Sequence, residues 1–193
     1  MDPDSIDDIA RTLQQAAAGD QLAWRSIVDE FGPRVFGLLR VQCGDPDLAE
    51  ELTQSTFCTV ASKISDGYQE HGRFESWLFR IAMNRLRDEM RRRKRHARPM
   101  DHEVMAAFTK APVEQDADAP FDQTDRAALA EALNELSDKE RQIIDLRHVG
   151  GMAFRQMEEL LEEPVGTLLA RHHRALKKLR GLMENPKNSD SEV

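Results

Sequence analysis

Residues 77–95, WLFRIAMNRLRDEMRRRKR, put eight arginines and lysines into nineteen positions together with one tryptophan and one asparagine. These residue types do no covalent chemistry. They supply what unpaired nucleic acid needs: an aromatic plate for stacking, an amide that can pair with a base edge, and guanidiniums for phosphates. At about 100° per residue, Leu78, Phe79, Ala82, Met83, Leu86 and Met90 gather on one arc and predict a core-facing side. Trp77, Ile81, Asn84 and Asp88 fall on another side, flanked by Arg80 and Arg87. The run 91–95 extends the cationic surface. A solvated helix face with a core tryptophan would leave the same pattern, so this segment alone does not decide the matter.

A second constellation lies in residues 152–180, MAFRQMEELLEEPVGTLLARHHRALKKLR. A short helix with Phe154, Met157, Leu160 and Leu161 inward, a turn around 162–165 and a second helix predict a helix-turn-helix. Thr167 is the expected N-cap of that second helix. Leu168, Leu169, His172, Leu176 and Leu179 share its expected core arc, and Thr167, Ala170, Arg171, Arg174, Lys177 and Lys178 share the opposite one. A recognition helix offers its N-terminal residues to the major groove. Arg171 and Arg174 are the candidates for guanine contacts, worth roughly 1–3 kcal/mol of discrimination each, and Lys177 and Lys178 for phosphates. An ordinary amphipathic hairpin with a basic outer face is the competing reading. His172 and His173 are neighbours and diverge on a helix, so they do not share a metal easily; packing or phosphate contact is their expected use.

The elements that must carry these residues are all helical. Leu, Ala, Glu and Arg dominate, with one Tyr and two Trp in 193 residues, which favours helix over sheet. Ser5 with Asp8 predicts a capping box opening a helix to about Ala18. "GD" at Gly19 and Asp20 predicts a stop and a new cap. Gly32 and Pro33 predict a break or kink, and "GDPD" from Gly44 predicts another stop-and-cap before a helix ending near Ile64. A loop with Gly67 and Gly72 precedes the basic helix. Residues 99–122 hold three prolines and an acidic cluster without sustained period, reading as a linker with at most a short helix near 104–108. Beyond it, helices are expected at about 124–136, 138–149, 153–161 and 167–183. The fold class is therefore all-α, two small helical domains (1–98 and 123–183) joined by an acidic linker (99–122), with a frayed polar tail at 184–193.

Charge is partitioned sharply. Lys and Arg against Asp and Glu run 5 to 13 over residues 1–70, 10 to 3 over 71–98, 2 to 10 over 99–138 and 10 to 9 over 139–193, for a formal net charge of −8. Such a chain is repelled by nucleic acid at long range and binds it well only when a larger partner delivers it. No run approaches the length of about 18 apolar residues that a membrane span needs, and the acidic N-terminus is unlike a signal peptide, so the cytoplasm is expected. Cys43 and Cys58 lack ligand spacing and are expected as buried free thiols. No Gly-rich phosphate loop, nucleophile elbow, metal-ligand spacing or acid–base pair is present, so neither cofactor, metal nor enzyme activity is expected.

Taken together, "GDQLAWRSIVDEFGPRVFGL", "DPDLAEELTQSTF", "GRFESWLFRIAMNRLRDEMRRRKR" and residues 132–180 resemble the extracytoplasmic-function (ECF) sigma factors of the sigma-70 family, across nearly all of the chain outside linker and tails. The resemblance implies that Glu50, Glu51 and Gln54 dock on the β′ clamp helices of core RNA polymerase. It implies that Arg73, Phe74, Trp77, Arg80, Asn84 and Arg87 serve the melted −10 strand. Thr167, Ala170, Arg171, Arg174, Lys177 and Lys178 would serve the −35 duplex. It further implies an acidic linker threading the polymerase, promoter DNA as ligand, an anti-sigma partner and no membrane insertion. Where the family usually has Val-Lys-Ser, this chain has Leu168, Leu169 and Ala170; Glu158 replaces a small alanine, and Glu162 a glycine suited to positive φ. These departures predict a −35 contact that is weakened or altered in preference. A stand-alone helix-turn-helix regulator and a sigma-like interaction protein with weakened DNA reading are the alternatives. The first predicts tight duplex binding without polymerase. The second predicts that Arg171 and Arg174 are dispensable while Glu51 and Gln54 are not.

Overall fold

The computed structural model describes residues 3–68, 73–96 and 123–184, and every regular element among them is helical. Four helices form the first unit: α1 Pro3–Ala17, α2 Gln21–Cys43, α3 Pro46–Ser65 and α4 Phe74–His96. The second unit holds α5 Gln123–Asn134, α6 Asp138–Ile144 with a π-turn at Asp145–Val149, α7 Phe154–Leu161 and α8 Val165–Glu184. The expected linker, its short helix and the tail from residue 185 onward lie outside the described residues, as do positions 69–72 of the loop before the basic helix.

Local chemistry sets the junctions of the first unit. Gly19 takes φ +91°, and Asp20 then accepts hydrogen bonds from the amides of Leu22 (2.8 Å) and Ala23 (3.3 Å) to start α2. Gly44 repeats the stop at φ +69°, its amide donating to the Arg40 carbonyl at 2.8 Å. Asp45 caps α3 by accepting from the Leu48 amide at 3.1 Å, with Pro46 in the first turn, where its missing N–H costs nothing. Two expectations are corrected. α1 begins at Pro3, ahead of Ser5, so Ser5 lies inside its first turn. α2 runs unbroken through Pro33. Ile27 and Phe31 before the proline and Val35, Leu38 and Leu39 after it are all buried, and that shared apolar face carries the helix across one lost hydrogen bond.

The core of this unit joins that stripe to Leu48, Ala49, Leu52 and Val60 of α3 and to Leu78, Phe79, Ala82, Met83 and Leu86 of α4. Cys43 is buried, and burial pushes its thiol pKa up. Cys58 is exposed, against expectation, because it falls on the side of α3 away from Thr56 and Val60.

In the second unit Ser137 and Glu140 close the turn before α6, the Ser137 amide and hydroxyl donating to Glu140 Oε2 at 3.1 and 2.8 Å. The π-turn opens on the buried Asp145, whose carboxylate accepts from Arg141 Nε at 3.1 and 3.2 Å and whose carbonyl accepts from the Gly150 amide at 2.9 Å. Leu146, Met152, Met157, Leu168 and Ala175 are fully buried beneath it.

Candidate nucleic-acid interface

Helix α4 turns its apolar face inward and leaves the other groups on one surface. Arg80, Asn84 and Arg87 are exposed, and Trp77 is half-buried at their edge. The Trp77 ring stacks on Tyr68, 4.3 Å between centroids and 22° between planes. Tyr68 is a residue that sequence reasoning missed; as the only tyrosine, in the loop before α4, its type was the available signal. Asn84 is exposed, and its Oδ1 accepts from Arg87 Nη1 at 3.0 Å, which orients the amide. Arg73 is exposed, and its carbonyl receives the Trp77 amide at 2.9 Å and the Ser76 hydroxyl at 3.2 Å, closing the start of α4.

Phe74 is buried where the other residues of the expected −10 set are exposed or half-buried. It is 2% exposed and packs edge-on against Phe31 at 5.3 Å, with Trp77 above it at 6.0 Å. An apolar ring at the first position of a helix that packs on α2 is drawn into the core. It therefore packs beneath the Tyr68–Trp77 pair, 6.3 and 6.0 Å from their ring centres. Arg34 and Glu75 form an ion pair beside it, with the Arg34 guanidinium 5.6 and 5.5 Å from the Phe31 and Phe79 ring centres.

The cationic run is only partly available. Arg92 and Arg93 both donate to Glu89, and Arg93 Nη1 reaches Asp45 Oδ2 at 3.1 Å, tying the end of α4 to the cap of α3. Hydrogen bonds from Arg92 and Arg93 hold the Glu89 carboxyl below its ordinary range; the Leu48 amide, followed by Arg93, does the same for Asp45. Arg91, Lys94 and Arg95 remain exposed. On α3, Glu50, Glu51 and Gln54 are all exposed on one face, Gln54 Nε2 donating to Glu50 Oε1 at 3.1 Å.

In the second unit, α8 starts at Val165, so Thr167 sits in the first turn and is not the cap. The Pro164 carbonyl takes the Thr167 and Leu168 amides at 2.9 and 3.2 Å, and Glu158 Oε1 accepts the Val165 amide at 3.2 Å. Glu162 adopts φ +55°, the left-handed conformation expected of a glycine there. The buried side of α8 is Leu168, Arg171, Ala175 and Leu179, whereas Leu169 and Leu176 are 46% and 42% exposed. That correction rotates the helix by about half a residue step from the expected arc.

Arg171 lies on that buried side. It is 8% exposed and donates from both terminal nitrogens to Glu163, one contact measuring 3.2 Å, which holds the Glu163 carboxyl below its usual range. An arginine bound two-pronged to a carboxylate at the turn ties the two helices of the helix-turn-helix together. Thr167, Ala170, Arg174 and Lys177 are exposed, and Leu169 and His173, which sequence reasoning left out of the outer face, join them there. Lys178 is exposed but donates to the Glu135 carbonyl, linking α8 to the end of α5.

Against known proteins, residues 27–96 match the model of Sigma-70 region 2 and residues 126–179 that of Sigma-70, region 4. The chain is 34% identical over 174 residues to RNA polymerase sigma factor CarQ of Myxococcus xanthus, covering 89% of this chain and 95% of that one. It is 29% identical over 179 residues to ECF RNA polymerase sigma factor SigW of Bacillus subtilis, again covering 89% and 95%. The sigma factor RpoE of Bartonella quintana, solved in complex with the anti-sigma factor NepR, shares the fold with a TM-score of 0.65 at 24% identity, covering 83% of this chain and 96% of that one. The chain belongs to the sigma-70 family of RNA polymerase sigma factors, in its extracytoplasmic-function class, and directs the polymerase to promoters. Among the described residues no helix is long and apolar enough to cross a membrane.

Proposed function

We propose that the two units divide promoter recognition between them, with the −10 strand on α4 and the −35 duplex on the outer face of α8. The observation that carries this reading is the Tyr68–Trp77 stack, 4.3 Å between centroids, standing beside Arg80, Asn84 and Arg87. Stacking one base on an aromatic face is worth about 1–3 kcal/mol, close to the roughly 1.4 kcal/mol of a DNA stacking step. The plate therefore captures a base that has left the duplex and keeps it out. It does not melt the promoter unaided, and the polymerase supplies the remainder. Asn84 reads the captured strand by its amide, while Arg73, Arg80 and Arg87 hold phosphates.

Glu50, Glu51 and Gln54 form the polymerase contact, a polar exposed patch on the helix that packs against α4. Thr167, Ala170 and Arg174 meet the −35 element, with Lys177 on phosphate and Arg171 positioning the helix through Glu163. The molecule acts by binding, with no chemistry of its own, in the cytoplasm where the polymerase works. An anti-sigma protein is a further expected partner, since a fold neighbour is a sigma factor captured in that state.

Run-off transcription with core polymerase and genomic promoter fragments tests the whole reading. Specific transcripts that depend on the added chain support it; no stimulation over core alone sinks it. The burial of Arg171 favours one variant of the reading, in which the −35 contact contributes little sequence information. Scrambling the −35 element would then weaken initiation by no more than the roughly 1–3 kcal/mol of the single Arg174 contact, while scrambling the −10 element abolishes it.

A further inference from the structure

The π-turn Asp145–Val149 delivers a side chain whose partner no sequence spacing reveals. His148 Nε2 lies 3.1 Å from Nε2 of His172 on α8, with 5.3 Å between ring centroids and 18° between ring planes. These values set the two nitrogens head to head between nearly coplanar rings. Two N–H groups cannot face each other at that distance, so the gap holds one proton, donated by one ring to the lone pair of the other.

We propose that His148 and His172 form a two-histidine site for a late divalent transition ion (zinc, nickel or copper) that takes the place of this proton, which passes through solvent to Nδ1 of the ring that carried it, and joins the π-turn to the second helix of the helix-turn-helix. An ion bound at about 2.0–2.1 Å from each nitrogen separates them by roughly 2.9–3.4 Å for angles between a right angle and the tetrahedral one. The observed 3.1 Å falls inside that interval. With the nitrogens held in place, each ring turns by roughly 40° to aim its lone pair from the facing nitrogen onto the ion.

The surroundings prepare the pair. Phe154 packs edge-on to His172 at 5.3 Å and 76°. Arg147 lies over the Phe154 ring at 5.4 Å and donates to the Met152 carbonyl at 2.8 Å, which occupies part of its guanidinium. Imidazole pairs select zinc, nickel and copper over hard ions such as magnesium or calcium. Among the described residues no group of three or more His, Cys, Asp or Glu converges, so water completes the coordination and the ion stays exchangeable. His173 points about 100° around the helix from His172 and stays outside the site.

Calorimetric titration of the full chain with nickel or copper chloride tests this. One saturable site is expected. His148→Ala and His172→Ala should each weaken it by on the order of tenfold or more, because the second imidazole no longer acts intramolecularly; His173→Ala should leave it intact. A readout that needs no variant is copper broadening of imidazole NMR signals in the unaltered protein, which should reach His148 and His172 before the other four of the six histidines. Absence of uptake, uptake that survives loss of both His148 and His172, or broadening that begins elsewhere overturns the site and leaves the pair as a shared-proton contact.

Discussion

At the scale of single residues, exposure separates groups that sequence pattern treats alike. Trp77 and Phe74 are both aromatic residues at the start of α4, yet one is half-exposed on Tyr68 and the other 2% exposed on Phe31. Trp77→Ala should weaken holoenzyme binding to a single-stranded −10 oligonucleotide by about 1–3 kcal/mol, the worth of one base stack, with little change in the melting of the free protein. Phe74→Ala should do the reverse, costing about 3–5 kcal/mol of stability as a core truncation. Arg171 and Arg174 differ in the same way. Arg174→Ala should relax preference at one −35 base pair by roughly 1–3 kcal/mol in a binding series over substituted promoters. Arg171→Ala should instead lower thermal stability by about 1–3 kcal/mol, the cost of stranding the Glu163 carboxylate, and affect all promoters equally.

At the scale of elements, the turns of the second unit are its points of strain. Glu162 holds φ +55°, which a residue with a Cβ adopts at a cost of roughly 1–2 kcal/mol. Glu162→Gly should therefore raise the unfolding free energy from a urea melt by about 1 kcal/mol once glycine's greater chain entropy is deducted. The π-turn has no such slack. A Cβ on Gly150 would lie 2.9 Å from the Leu146 carbonyl oxygen, a backbone atom that cannot swing aside. Gly150→Ala should cost about 1–3 kcal/mol in a urea melt, and should loosen the approach of His148 to His172. α2 shows the opposite case, a helix whose interior proline is tolerated because packing on both sides of it holds the axis.

At the scale of the molecule, charge governs what the chain does alone and in company. A net charge of −8 opposes DNA, while the surplus over residues 71–98 attracts it locally. Free protein should bind promoter duplex weakly and lose that binding steeply with salt, and core polymerase should convert it to specific initiation. The same carboxylates set the acid limit. Glu163, Glu89, Asp45 and Glu140 all have lowered pKa values, from Arg171, from Arg92, from the Leu48 amide and from Ser137 respectively. Each is more acidic folded than unfolded. Its stabilisation is present above the unfolded range near about pH 4 and disappears as pH falls through the lower folded value. Urea midpoints taken between pH 7 and 3 should fall on the acid side, less steeply in Glu89→Gln and Glu163→Gln.

The sequence by itself determined the helices, their stop-and-cap junctions at Gly19–Asp20 and Gly44–Asp45, the core stripe of α4 and the segregation of cations, because each rests on periodicity or on bonds within a few residues. Tertiary structure alone decided which polar groups are spent. Arg171 meets Glu163, Arg93 meets Asp45, Trp77 meets Tyr68 and His148 meets His172 across turns or between helices. A helical wheel assigns a side chain to a face but not to a partner. Small errors of phase, such as the one that exchanged Arg171 for Leu169, are resolved only when a neighbouring element covers one side and leaves the other to solvent.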